Sequence, residues 1–306
     1  MIQAQPAGLC SALRKRGHCA TLIDPQAISF AMDDENDWLD GLDLIVARGR
    51  SLLLLGMLAW AEARGMRTIN RRRAIAAVHN KAEMSIALVT AGLPTPRTFF
   101  GSLQHLASRV PRASYPLILK PIFGDNCQGL RLVHNRDELT ALESPELVVL
   151  AQYFVSSDGY DLKLYGIGDE IWAVRKPSPF KGPGRMPSIS RSNDHDARAE
   201  LLPLTPALRE LGRRCRELFG LALYGVDCIQ TSAGPVVIEV NDFPNYTGVP
   251  DADQRLTDYV QQWALNIPPS GRFCARMPAL PQASDGCLVQ QGYSNHEASG
   301  RVPEQL

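Results

Sequence analysis

LILKPIFGDNCQGLRLV, residues 117–133, is the stretch whose reading decides the fold. Leu117, Ile118 and Leu119 make an apolar β-type run, which Lys120 and Pro121 close at a turn bounded by Gly124 and Gly129. The chain then returns as a second strand over 130–133. A lysine emerging beside a glycine-bounded turn gathers an ammonium and several backbone N–H groups around one point, an arrangement that suits phosphate oxygens. Taken alone, Lys120 fits a solvated lysine at the end of an ordinary hairpin equally well.

Upstream of this stretch the pattern alternates. It predicts a helix over 9–16 closed by Gly17, strands over 19–23 and 42–47, an apolar helix over 52–64 and a short strand over 66–70, an α/β arrangement. A helical stretch over 71–91 ends at Gly92, with Pro94 and Pro96 marking a linker. Downstream, 146–155 reads as a long apolar strand, and 161–165 with 170–175 as a hairpin turning at Gly166 and Gly168. Residues 177–187 read as a loop, 208–219 as an amphipathic helix, and 224–230 with 235–240 as paired strands. From residue 268 onward Pro, Gly, Ser and Gln dominate, which predicts a loosely ordered tail.

Composition excludes several classes. The 306 residues exceed what one small core needs. Lys plus Arg balance Asp plus Glu at 32 each, against a nucleic-acid surface as the main business of the chain. The longest apolar run, 52–61, is too short to span a bilayer and is followed by Glu62 and Arg64. No apolar segment follows Arg14, Lys15 and Arg16, so a cytoplasmic protein is expected. Seven cysteines without C-x-x-C spacing fit reduced thiols, and neither they nor the six scattered histidines suggest zinc.

Two further sets carry chemistry. Glu239 and Asn241 stand two apart on one predicted strand and so share a face, which Asp227 reaches from the neighbouring strand. Three oxygen donors against an otherwise apolar sheet suit a hard divalent cation, magnesium first and manganese as its alternative, and fit equally a hydrated sheet face with Asn241 starting the Asp242-Phe243-Pro244 turn. Lys163 and Arg175 lie on the two arms of the hairpin, and with both on one face they would stabilise charge on a transferred phosphoryl group.

The order of these segments is more specific than any one of them. Gly65-Met66-Arg67-Thr68-Ile69-Asn70, Asn80-Lys81 with Leu88, Gly92-Leu93-Pro94-Thr95-Pro96, and Leu119 to Gly124 through Gln128-Gly129-Leu130 resemble the RimK-type ATP-grasp ligases. The resemblance implies an ATP-grasp fold of α/β and α+β parts: a pre-ATP-grasp α/β domain at 1–80, a small lobe at 81–155, a large lobe at 156–267 and the tail at 268–306. It implies that Lys81 and Lys120 bind the nucleotide phosphates and that Gly124, Gln128 and Gly129 belong to a lid loop. Gln152, Tyr153, Phe154 and Val155 would form the hinge beside adenine, with Asp161 also on the nucleotide side. Asp227, Glu239 and Asn241 match the metal ligands, and Lys163 and Arg175 the cations on phosphate and reacting carboxylate. The hinge departs from the usual pattern, since Tyr153 rather than a glutamate follows Gln152. Arg175-Lys176-Pro177-Ser178-Pro179 and the segment 241–249 are closer to the inositol polyphosphate kinases built on the same fold.

The leading expectation is an enzyme, a Mg-ATP-dependent carboxylate-amine ligase working through an acyl phosphate. Its substrates would be small-molecule or peptide carboxylates and amines, without nucleic acid or membrane, and a homo-oligomer is compatible. One alternative is a kinase acting on a polyol hydroxyl, with Lys181, Arg185 and Arg191 reading substrate phosphates. The other is a non-catalytic ATP-binding module. Lys120→Ala and Glu239→Gln are expected to abolish turnover and leave the fold intact.

Overall fold

The computed structural model describes residues 4–33, 38–124, 128–142, 147–178 and 199–265. The expected tail and most of the 177–187 loop lie outside them, as do Lys181, Arg185 and Arg191.

Helix α1 (Ala4–Lys15) leads into a small β-α-β unit of strand β1 (Ile45–Val46), helix α2 (Leu52–Ala63) and strand β2 (Thr68–Ile69). β1 and β2 run parallel, Ile45 opposite Thr68, with the helix as the crossover that parallel strands require. The strand expected over 19–23 is absent. The Ala20 carbonyl there is taken by the Arg14 guanidinium at 2.7 Å and the Cys10 thiol at 3.5 Å, so side chains replace the ladder that a strand needs.

The helical stretch expected over 71–91 is two helices, α3 (Arg72–His79) and α4 (Lys81–Thr90). Asn80 is extended between them, and its side-chain oxygen accepts from the Ala82 and Glu83 N–H groups. Its amide donates back to Glu83 at 2.9 Å, a reciprocal cap that starts the second helix and makes Lys81 its first residue.

Strand β3 (Thr98–Ser102), helix α5 (Leu103–Arg109), strands β4 (Leu117–Pro121) and β5 (Arg131–Val133), helix α6 (Arg136–Ala141) and strand β6 (Val148–Tyr153) follow. They build a four-stranded sheet in the order β3-β6-β4-β5, whose apolar face packs Leu117, Leu119, Val133 and Ala151 against Leu106 and Leu139 of the two helices. The second sheet takes β7 (Tyr160–Ile167), β8 (Glu170–Pro177), β9 (Glu200–Leu202), β10 (Leu223–Thr231) and β11 (Gly234–Asp242) in the order β11-β10-β7-β8-β9. Helix α7 (Pro206–Phe219) covers one of its faces, through Leu208, Leu211 and Cys215 against Leu162, Leu164 and Val226. Helix α8 (Ala252–Leu265) contributes Leu256 and Val260 to the other, against Tyr165, Ile167 and Leu223.

Asn70 fastens the N-terminal unit to the large sheet. Its amide donates to the Leu223 carbonyl at 2.7 Å, and its oxygen accepts from the N–H groups of Ala222 and Leu223 at 2.7 and 2.9 Å. The linker after α4 continues the sheet edge: Val237 N–H donates to the Pro94 carbonyl at 2.7 Å and the Thr95 hydroxyl to the Val237 carbonyl at 2.9 Å. Among the described residues no helix is long and apolar enough to cross a membrane.

Candidate active site

Antiparallel partners share a face, so the register of the large sheet fixes what stands together. Asp227 is opposite Lys163 on one side and Glu239 on the other, and Asn241, two residues beyond Glu239, lies opposite Gly225. The three expected metal donors and Lys163 therefore occupy one face. Lys163 Nζ is 2.8 Å from Asp227 Oδ1, and the Asn241 amide is 3.4 Å from Asp227 Oδ2. Burial pulls the Lys163 ammonium toward neutrality, but Asp227, Tyr165 and Asp161 outweigh it and raise its pKa above the ordinary lysine value.

The small sheet supplies the facing cations. Lys120, on β4, is buried and donates to Gln152 Oε1 on β6 at 2.6 Å, while Gln152 donates onward to the Thr98 hydroxyl at 3.1 Å. Lys81 leaves the start of α4 and spans both sheets. Its ammonium is 2.9 Å from Glu239 Oε1 and 2.6 Å from the Gly124 carbonyl, and its backbone N–H donates to Ile122 at 3.1 Å. Gly124 and Gly129 bracket Pro121 with φ of 149° and 73°, and a Cβ on either would come within 3.2 Å of the Pro121 ring. The loop is thus held against the strand that carries Lys120. Gln128 is exposed beside Gly129, and residues 125–127 lie outside the described residues.

Arg175 does not join the set. It is opposite Leu162, the neighbour of Lys163, and a one-residue offset along a strand reverses the face. Its guanidinium pairs with Glu200 at 2.7 Å and lies over the Tyr160 ring at 4.4 Å. The expectation that Lys163 and Arg175 share a face is therefore corrected. Lys176 has the right parity: it is opposite Asp161, nine-tenths buried, with its ammonium 5.6 Å from the Tyr165 ring centroid. Counting strand residues in twos from Lys163 and Asp161 could have found it.

The hinge residues divide. Gln152 faces the site, whereas the Tyr153 hydroxyl is 2.6 Å from Ser114 Oγ and its ring packs near Phe99. Phe154 N–H donates to the Pro116 carbonyl at 3.1 Å, and Val155 follows it, half-buried, beyond the end of β6.

Two arginines from the N-terminal unit reach the same edge, and no motif in the sequence marked them. Arg50 donates to Asn241 Oδ1 at 3.0 Å and stands 3.5 Å from Asp242 Oδ1. Arg48 bonds Asn245 Oδ1 and lies over the Phe243 ring at 5.3 Å.

Two carboxylates and an amide oxygen fit a magnesium ion, which commonly takes one or two protein carboxylates and completes its shell with phosphate and water. Among the described residues no three His, Cys, Asp or Glu side chains gather, at this site or elsewhere, so the donor set here rests on two carboxylates and one amide. The lysines beside Asp227 and Glu239 neutralise the carboxylates that such an ion would engage.

Residues 78–259 match the model of the RimK-like ATP-grasp domain. A probable alpha-L-glutamate ligase of Maridesulfovibrio salexigens is 27% identical over 277 residues, 83% of this chain and 90% of that protein. A RimK domain ATP-grasp protein from Sphaerobacter thermophilus superposes with a TM-score of 0.63 at 21% identity, over 85% of this chain and 96% of that one. The ATP-grasp ligase PsnB, solved with a minimal precursor, Mg and ADP, gives 0.64 at 19% identity over 86% and 94%.

Proposed function

This chain belongs to the RimK-like ATP-grasp family and is an ATP-dependent carboxylate-amine ligase, and from that premise we propose how its residues divide the work. One observation carries the reading: Asp227, Glu239 and Asn241 share a sheet face with Lys163, and Lys81 from the start of α4 and Lys120 from the small sheet converge on Glu239.

ATP lies between the sheets, with Lys81, Lys120 and the loop of Gly124, Gln128 and Gly129 around its phosphates. Lys120 and Gln152 form a buried wall there, and the 152–155 segment with Asp161 borders the rest of the nucleotide. Asp227, Glu239 and Asn241 would hold magnesium, or manganese in its place, which would neutralise phosphate charge. A carboxylate oxygen of the first substrate attacks the γ-phosphorus and ADP leaves. The amine of the second attacks the resulting acyl carbon, and inorganic phosphate departs as the amide forms. Both steps build negative charge on oxygen, so the protein needs fixed cations and near-contact alignment rather than a nucleophilic side chain. Lys163 and Lys176 supply those cations on the large-sheet side.

The glutamate ligase among the relatives suggests an acidic amino acid as the amine substrate, joined to a small-molecule or peptide carboxylate. A cytoplasmic setting fits an enzyme that consumes ATP. The lobes are taken as 81–155 and 156–267 after a domain of 1–80.

The test is ADP release with L-glutamate and a panel of peptide and small carboxylates. ADP formation that needs both partners and magnesium supports the assignment; phosphate transferred to a polyol hydroxyl, without amide formation, overturns it.

A further inference from the structure

The chain after β1 leaves the C-terminal end of a parallel strand, where open α/β sheets present ligand-binding residues. Here it presents Arg48 and Arg50, separated by Gly49. Arg50 is committed to the metal-binding edge through Asn241. Arg48 points to the loop that follows, where one terminal nitrogen bonds Asn245 and the other, Nη1, is buried with no hydrogen-bond partner among the described residues. Burial pushes the Arg48 pKa below the ordinary arginine value, against the pull of Asp242 and Tyr246.

The loop is built to hold its shape. Phe243 and Tyr246 adopt positive φ of 34° and 49°, which side-chain-bearing residues adopt at a cost. The Tyr246 hydroxyl pins the loop to the Gly166 carbonyl at 2.8 Å, and the Phe243 ring lies under the guanidinium. A partly desolvated guanidinium over an aromatic ring, with one buried nitrogen still lacking an acceptor, suits a carboxylate oxygen brought in by a ligand. Arg48 and Arg50 are two residues apart, so their Cα atoms lie at most roughly 7 Å from each other.

We propose that Arg48 anchors a carboxylate of the amine substrate, one that does not itself react. This rests on the ligase reading above. The anchor comes from the N-terminal unit while the metal-binding donors come from the large sheet, so the substrate bridges the two.

The experiment compares wild type, Arg48→Gln and Arg48→Lys in the presence of magnesium and a non-hydrolysable ATP analogue. Binding and KM are measured for L-glutamate, for its γ-amide and for its α-amide. Wild type should favour glutamate over one of the amides by tenfold or more. Arg48→Gln should bind glutamate and that amide alike, with glutamate KM raised at least tenfold, kcat changed by less than threefold and analogue binding unchanged. Arg48→Lys should recover part of the preference. A purely structural Arg48 would lower the melting temperature and leave the preference intact, and that result overturns the proposal, as does a wild type indifferent to both amides. Wild type unable to bind the analogue with magnesium would overturn the ligase-site reading and this inference together.

Discussion

Lys81 Nζ stands 2.9 Å from Glu239 Oε1 and 2.6 Å from the Gly124 carbonyl, so one ammonium from the start of α4 joins the face of the large sheet proposed to bind metal to the small sheet. Burial pushes the Glu239 carboxyl up, but Lys81, Lys120 and Arg50 outweigh it and hold the pKa below the ordinary 4.5. A depressed carboxylate adds stability that is present above its unfolded pKa and lost as pH falls through the folded one. Metal-free protein should therefore lose part of its stability below about pH 4.5 through this group. In Glu239→Gln the melting temperature should fall less steeply over that acid range, and a slope equal to wild type would count against the pairing. Turnover in the same variant should drop roughly 100- to 1,000-fold.

Lys120→Ala should cost stability as well as activity. The side chain is buried on Gln152, so its removal strips a buried amide oxygen of its donor, at about 1–3 kcal/mol. The overall architecture is still expected to form, at lower stability. Urea melts and ADP release rates measure the two effects separately.

Arg175→Ala should keep kcat within about threefold of wild type, whereas Lys163→Ala and Lys176→Ala should each lose roughly 100-fold or more. Steady-state kinetics on the three variants tests which face of the β7–β8 hairpin meets the substrate. A collapse in Arg175→Ala would mean that the face assignment fails.

Magnesium with ATP should raise the melting temperature, by about 2.7 kcal/mol of added stability at a hundredfold excess over Kd. A chelator should remove that shift, and Asp227→Asn should blunt it. Equal shifts with and without the chelator would remove the metal from the nucleotide site.

Asn70→Ala breaks three bonds at once and, at about 1–3 kcal/mol, strips the Ala222 and Leu223 N–H groups of their side-chain acceptor, while the Leu223 carbonyl keeps the Phe243 N–H at 3.1 Å. Differential melting should show it, with the Michaelis constant for ATP nearly unchanged because Asn70 touches no phosphate-binding residue.

Much of the site was legible because strand parity is a local property. Glu239 and Asn241 had to share a face, whereas Lys120, expected to emerge beside the glycine turn, is instead buried on Gln152, and it is Lys81 that meets the turn at Gly124. The same parity argues against pairing Lys163 with Arg175, since their register depends on which residues the hairpin sets opposite each other, and that is fixed by the turn at Gly168. Asn80 and Glu83 carried a capping signal three residues apart, enough to divide 71–91 into two helices. Arg48 and Arg50 were invisible for a different reason: their role depends on a contact nearly two hundred residues away, which periodicity cannot encode. The absent strand over 19–23 has β-like composition, but the neighbouring helix captures its carbonyl first.

The Asn70 clamp and the Pro94–Val237 ladder tie everything before residue 98 to the large sheet, although the small sheet lies between them in the sequence. The described residues thus divide into a base and a flap, the small sheet, and Lys81 is the latch, rooted in the base and bonding the flap at Gly124. A nucleotide that draws the Lys81 ammonium onto its phosphates would release that grip, making entry of the ligand and freedom of the flap a single event.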